Sequence, residues 1–281
     1  MERRKITIPD ILEMKRRKQK ITMLTAYDYP FASLIDQAEI DIILVGDSLG
    51  NVILGYDSTV PVTMEEMLHH TKAVRRAVRF ALLVGDMPFM SFNIYKESAI
   101  RNAGRFIKEA GCDAVKLEWF SGCIEMTKAI INSGIPVMGH IGLTPQTTAQ
   151  FGGFKVRGKD AETAKKLIEE AILLEEAGCF SIVLECIPDR LAKIITEKLK
   201  IPTIGIGAGP FSDGQVLVTH DMVGLFERFR PKFVKQYINL SLQILEAIKK
   251  FKEEVIQEKF PTKEHSFTIK KKKSLKKSAE F

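Results

Sequence analysis

Residues 42–51 read I-I-L-V-G-D-S-L-G-N: four consecutive apolar side chains, cut off by Gly46, Asp47 and Ser48. A short β-rich run without polar alternation suits a strand buried on both faces of a parallel sheet. Gly46 frees the backbone for an abrupt end, which leaves a carboxylate and a hydroxyl at the strand tip. The same grammar recurs along the chain. Further apolar runs close on Asp86, Glu118, His140 and Glu185, and a later one flows into Gly205-Ile206-Gly207-Ala208-Gly209.

Between these runs lie segments with helical periodicity. Thr63 and Glu66 form an S/T-x-x-E capping box ahead of Met64, Met67, Leu68 and Val74. Strands are predicted at 20–26, 42–45, 80–84, 113–117, 134–137 (closing on Gly139-His140), 180–184 and 201–206, with a weaker eighth somewhere within 215–226. Residues 1–19 form a basic amphipathic lead-in, with Ile8, Ile11, Leu12 and Met14 able to share one face and cap one end of the fold. A long helix is expected from Pro231 to about Lys259, and 142–158 is a glycine-rich loop long enough to serve as a lid. The decapeptides E-A-G-C-D-A-V-K-L-E (109–118) and E-A-G-C-F-S-I-V-L-E (176–185) match at six of ten positions. Each reads as a helix end, a glycine cap, a buried strand and a terminal Glu. Alternating strands and helices with right-handed crossovers leave an open doubly wound sheet or a closed barrel. Eight strands, no G-x-G-x-x-G after the first, and polar residues at many tips favour an α/β fold built as a single (β/α)8 TIM barrel, with its site at the carboxyl ends of the strands.

The length of 281 residues is close to the roughly 250 of one such barrel, and 45% hydrophobic with 27% charged residues supplies one large core. We expect a catalytic barrel domain over 1–267 and a basic, disordered tail over 268–281. Residues 270–281 hold six Lys against one Glu, so the tail carries +5 of the formal net charge of +7. The folded body is nearly neutral, so a solvated extension is favoured over a nucleic-acid-binding arm. No apolar run is long enough for a membrane span, and the N-terminus shows no secretory h-region, so the expected location is cytoplasmic. Cys112, Cys123, Cys179 and Cys186 lack C-x-x-C spacing and read as reduced structural thiols.

Barrel tips converge on one cavity, so Asp47, Asp86 and Glu118 would meet. Each acid alone would more often cap the following helix; three at successive tips favour a metal, since like charges held close need a counter-charge. All-oxygen donors suit Mg²⁺ better than Zn²⁺. Lys116 lies two residues before Glu118 and so shares its face of the strand, where it would pair with the acids or hold an anionic substrate. For His140, a satisfied structural histidine and a ligand-binding one are evenly matched. Glu185 borders Cys186, Ile187 and Pro188, surroundings apolar enough to raise its pKa toward that of a general base; a helix cap after Pro188 is the competing role.

Several long motifs, in one order, resemble the ketopantoate hydroxymethyltransferase family. They are V-G-D-S-L-G (45–50), D-S-T-V-P-V-T (57–63), G-H-I-G-L-T-P-Q (139–146), F-G-G (151–153), V-L-E-C-I-P (183–188), I-G-I-G-A-G (204–209) and E-H-S-F (264–267). The resemblance implies a barrel of the phosphoenolpyruvate/pyruvate type. It also implies Mg²⁺ and 5,10-methylenetetrahydrofolate in the conversion of 3-methyl-2-oxobutanoate to 2-dehydropantoate through a Mg-stabilised enolate, the first committed step toward pantothenate. Matched residue by residue, Asp47, Asp86 and Glu118 fall on the metal site. Asp47, Ser48, Asp86 and Lys116 fall on the oxo-acid contacts, and Glu185 on the proton acceptor. A homo-oligomer, a decamer in the family, is implied too. Trp119 and Phe120 depart from the Gly-Gly that usually follows the metal-site Glu, which bears on how folate enters. A lyase or mutase of the same barrel group would share the enolate chemistry and need no folate.

Overall fold

The computed structural model describes residues 3–151 and 155–268; Gly152 and Gly153 of the long loop, and the lysine tail from residue 269 on, lie outside the described residues. The chain forms two compact units, Met1–Tyr237 and Ile238–Phe281. The first runs α1 (Ile8–Arg16), β1 (Ile21–Thr25), α2 (Tyr29–Gln37), β2 (Ile42–Val45), α3 (Leu49–Val52), α4 (Met64–Arg75), β3 (Leu82–Asp86), α5 (Lys96–Lys108), β4 (Ala114–Glu118) and α6 (Cys123–Asn132). It continues through β5 (Val137–Gly142), a 3-10 turn (Pro145–Phe151), α7 (Ala161–Glu176), β6 (Ser181–Glu185), α8 (Asp189–Lys198), β7 (Thr203–Ile206), β8 (Gly214–Leu217) and α9 (Thr219–Met222). The eight strands pair in parallel, in chain order, and β8 closes on β1, giving the expected (β/α)8 barrel.

The two-residue period of each strand splits the core in two. Ile42 and Leu44, Leu82 and Val84, Ala114, Met138, Val183, Ile204 and Ile206 belong to one cluster, which fills the barrel. Ile43 and Val45, Leu83, Val115 and Leu117, Ile141, Ile182 and Leu184 belong to another, shared with Ile35, Met67, Phe106, Ile130, Leu174 and Ile195 of the helices. The lead-in behaves as expected in part: Ile11 and Met14 of α1 are buried in the inner cluster, whereas Leu12 takes no place in it.

Local signals are realised directly. Glu66 N–H donates to Thr63 Oγ1 at 3.2 Å while Thr63 N–H donates to Glu66 Oε2 at 2.8 Å, closing the capping box. In both copies of the internal repeat the cap glycine is left-handed, Gly111 at φ 71° and Gly178 at φ 100°. All four cysteines are free thiols. No helix among the described residues is long and apolar enough to cross a membrane.

Several boundaries differ from expectation. Asp86, Glu118 and Glu185 are the last residues of their strands rather than the first beyond them, and His140 lies inside β5, because a parallel neighbour keeps supplying ladder partners: Met87 N–H donates to Lys116 O at 3.0 Å and Trp119 N–H to His140 O at 2.8 Å; Asp47 alone lies past its strand. The long helix begins not at Pro231 but at Leu240, where the Asn239 side chain caps it, and ends at Ile256; this α10 (Leu240–Ile256) belongs to the second unit.

Gly142 shows how tightly the carboxyl end of the barrel is built. It sits at φ 98°, and a Cβ there would lie 2.2 Å from the backbone oxygen of Glu185. Gly142→Ala is expected to lower unfolding free energy by at least about 1–2 kcal/mol from the backbone conformation alone. Urea unfolding of wild type and variant measures it, and equal midpoints would contradict it.

Candidate active site

Strand register brings the predicted residues together. Asp86 on β3 is the register partner of Lys116 on β4, Glu118 of His140 on β5, and Gly142 of Glu185 on β6. Asp86, Lys116, Glu118, His140 and Glu185 thus follow the inward-facing positions of their strands, above Val84, Ala114, Met138 and Val183. Asp47 joins from just past β2, its N–H donating to Asp86 Oδ2 at 3.1 Å. Ser48 stands beside it, its hydroxyl 2.8 Å from the buried Tyr27 hydroxyl.

Lys116 is the hub. Its Nζ lies 2.9 Å from Asp86 Oδ1 and 3.2 Å from His140 Nδ1. An ammonium has no lone pair to offer, so Nδ1 must accept, and the neutral imidazole then carries its proton on Nε2. That Nε2 lies 3.1 Å from Glu185 Oε2 without the alignment of a hydrogen bond. His140 therefore connects the lysine to the Glu185 side, a role between the two alternatives its sequence position left open.

Electrostatics follow from burial. Burial pushes the His140 imidazole well below its ordinary pKa, and neighbouring Lys116 pushes it the same way. Desolvation opposes the charge on Lys116, but Asp86, Glu118 and Asp47 outweigh it and hold its pKa up, so the ammonium stays charged. Burial drives Asp86 up, with Lys116 pulling against it; it also drives Glu118 well up, reinforced by Asp47. Burial raises Glu185 to about 7, again against the pull of Lys116.

Three carboxylates around one ammonium leave negative charge in excess, and Glu118 Oε1 has no hydrogen-bond partner among the described residues. The donor set is all oxygen, which suits a hard divalent cation. Among the described residues no group of three or more His, Cys, Asp or Glu side chains is arranged to hold a metal ion as it stands. Magnesium makes a smaller demand, since one or two carboxylates with substrate oxygens and waters complete its shell. Asp47 and Asp86, joined at their tips, meet that demand.

One residue of the centre had no role assigned from sequence. Gln146 donates from Nε2 to Asp47 Oδ2 at 2.9 Å and to Met87 O at 3.0 Å, and from its backbone N–H to Glu118 Oε2 at 3.0 Å. It thereby spans two of the three acids. The only signal was its place just after a strand tip, in the T-P-Q of a glycine-rich loop, where periodicity says nothing about direction.

The sequence profile described as ketopantoate hydroxymethyltransferase matches residues 5–263. The 3-methyl-2-oxobutanoate hydroxymethyltransferase of Syntrophomonas wolfei is 59% identical over 266 residues, covering 95% of this chain and 96% of that one. The Moorella thermoacetica protein of the same name is 57% identical over 266 residues, covering 95% and 99%. Among solved structures, a phosphonopyruvate hydrolase superposes with TM-score 0.60 at 12% identity, covering 94% and 92%. The phosphoenolpyruvate phosphomutase of Streptomyces platensis does so with TM-score 0.60 at 13% identity, covering 89% and 88%. At such identities the structural likeness concerns the fold alone, a closed barrel of eight parallel strands. Identity above one half across nearly the full chain says more: this chain belongs to the ketopantoate hydroxymethyltransferase family.

Proposed function

We propose that this enzyme transfers a hydroxymethyl group from 5,10-methylenetetrahydrofolate to 3-methyl-2-oxobutanoate, giving 2-dehydropantoate, the first committed step of pantothenate biosynthesis. It acts in the cytoplasm as a homo-oligomer. The observation that carries the reading is the opposition of a largely buried carboxyl, Glu185, to a cluster of acids organised around a buried ammonium, in a chain of this family.

Lys116, with Ser48, offers positive charge and a hydroxyl to the carboxylate of the oxo acid. Asp47 and Asp86, with Glu118 beside them, would hold Mg²⁺, which when bound supplies Lewis-acid polarisation of the 2-oxo group and so acidifies C3–H. Glu185 takes the C3 proton; burial has already raised its proton affinity to suit that task near neutrality. The electron pair left on C3 forms a bond to the folate-borne methylene as one of its two C–N bonds breaks; water then displaces the other nitrogen and supplies the hydroxyl, and the proton held by Glu185 and one from water go to the two nitrogens of the departing tetrahydrofolate. His140 keeps Lys116 and Glu185 apart and in place without adding charge.

Three outcomes are expected. Glu185→Gln should retain oxo-acid binding by calorimetry yet slow C3 proton exchange in D₂O roughly a hundredfold or more; a variant that exchanges at the wild-type rate would remove Glu185 from the chemistry. Because the base must be ionised and titrates near 7, exchange followed by proton NMR should rise with pH through about 7 and level off above it. A rate independent of pH from 5 to 9, roughly two units either side, would count against that assignment. Asp47→Asn should weaken Mg²⁺ and oxo-acid binding together, about tenfold or more in titration calorimetry; unchanged affinities would mean Asp47 holds neither.

A further inference from the structure

One loop residue is tied to three neighbouring strand tips. Gln146 is 4% exposed; its Nε2 donates to Asp47 Oδ2 at 2.9 Å and to Met87 O at 3.0 Å, and its backbone N–H donates to Glu118 Oε2 at 3.0 Å. Both side-chain partners are acceptors with no hydrogen to give, which fixes the amide with its NH₂ toward them. Asp47 follows β2, Met87 follows Asp86 at the end of β3, and Glu118 ends β4. A residue from the loop after β5 therefore sets the spacing of the tips that carry all three acids.

Gln146 is itself braced. Gly142, at φ 98°, turns the chain at the end of β5, and Leu143 N–H donates to Glu185 O at 2.8 Å. In the 3-10 turn that follows, Thr147 N–H donates to Thr144 O at 3.0 Å and the two threonine hydroxyls meet at 2.6 Å. Gln146 N–H takes no part in that bonding and goes to Glu118 instead.

The kind of donor matters as much as its place. An amide satisfies carboxylate oxygens without adding charge, so the acids are held while their surplus negative charge is kept. A lysine or arginine in its place would satisfy the same oxygens and cancel that charge. Gln146 also takes one oxygen of each acid, leaving Asp47 Oδ1 and Glu118 Oε1 outside its hold. Glu118 Oε1 has no hydrogen-bond partner among the described residues, and His140 Nδ1, 3.6 Å away, has no proton to offer it because it accepts from Lys116. Carboxylates that ligate a metal through one oxygen are steadied by hydrogen bonds to the rest of the group. Mg²⁺ demands short bonds in a near-octahedral shell, whereas Ca²⁺ accepts a larger, irregular one, so the freedom of the acids to spread decides between them.

We propose that Gln146 is the positioning residue that makes the acid cluster selective for Mg²⁺ over Ca²⁺: by holding one oxygen of Asp47 and one of Glu118, and tying both to the end of β3, it keeps the acids from spreading to the larger shell that Ca²⁺ needs. The proposal rests on the Mg²⁺-dependent reaction proposed above, and it acts through the acids rather than on the substrate.

Titration calorimetry of the full-length protein, with 3-methyl-2-oxobutanoate present at saturation, compares MgCl₂ with CaCl₂ in wild type and in Gln146→Met. That variant keeps side-chain length and the backbone N–H but removes both side-chain donors. Mg²⁺ affinity should fall about ten- to a hundredfold and Ca²⁺ affinity by less, so that the preference for Mg²⁺ shrinks about tenfold. Wild type without a preference for Mg²⁺, an unchanged Mg²⁺ affinity in the variant, or equal losses for the two ions, as a merely structural residue would give, overturns the proposal. Circular dichroism melts establish that the variant is folded. Should it fail to fold, Gln146→Asn, which keeps an amide but shortens its reach, decides by the same ratio. Mg²⁺-dependent exchange of the C3 proton by wild type in D₂O is followed in parallel by proton NMR. Exchange with an unchanged ratio sinks the role of Gln146 alone, whereas no exchange sinks the Mg²⁺-dependent reaction on which it rests.

Discussion

The structure depends on keeping charge in a place where water is scarce. Asp47, Asp86 and Glu118 are all buried at the mouth of a barrel whose remaining interior is aliphatic, and Lys116 is the buried cation set against them. Isolated ions in such a medium would neutralise rather than persist. Register solves part of the problem by placing Lys116 directly beside Asp86, and the neutral tautomer of His140 accepts another of its protons. The rest stays unsolved within the protein itself, as the upward pKa shifts of Asp86 and Glu118 record. Surplus negative charge with an acceptor left over is the electrostatic setting that the proposed cation would answer.

The scaffold around that charge is ordinary by comparison. Parallel strands impose their own alternation, so one set of side chains fills the barrel and the other meets the helices, with no residue serving both. Asp36 shows how far polar groups work as scaffold when they are not in the site. Buried on α2, it accepts the backbone N–H groups of Arg79, Phe80 and Ala81, which satisfies three donors at the entry to β3.

Much of this was legible in the residues. Apolar runs ended by Asp86, Glu118 and Glu185 gave strand positions, and the period of two put Lys116 on the same side as Glu118 without any structure. The repeat at 109–118 and 176–185 gave the architecture its unit. What could not be read was direction within irregular backbone. Gln146 lies in a loop that has no period, so nothing marked it as the residue spanning Asp47 and Glu118. The start of the long helix is hidden because apolar spacing before Leu240 resembles a helix, whereas the Asn239 cap decides. Strand ends past Val84, Leu117 and Leu184 escape the sequence because parallel neighbours continue the ladder through the polar side chain that closes each apolar run.

The lead-in helix has a consequence for movement. With Ile11 and Met14 of α1 packed among Ile21, Met23 and Val216, the amino-terminal end of the barrel is stoppered by hydrocarbon. Among the described residues that end gives no way in to Lys116 and its partners, which leaves the carboxyl-terminal face. Among the described residues the barrel is therefore a blind cup, and a molecule that reaches Lys116 has to leave by the way it came.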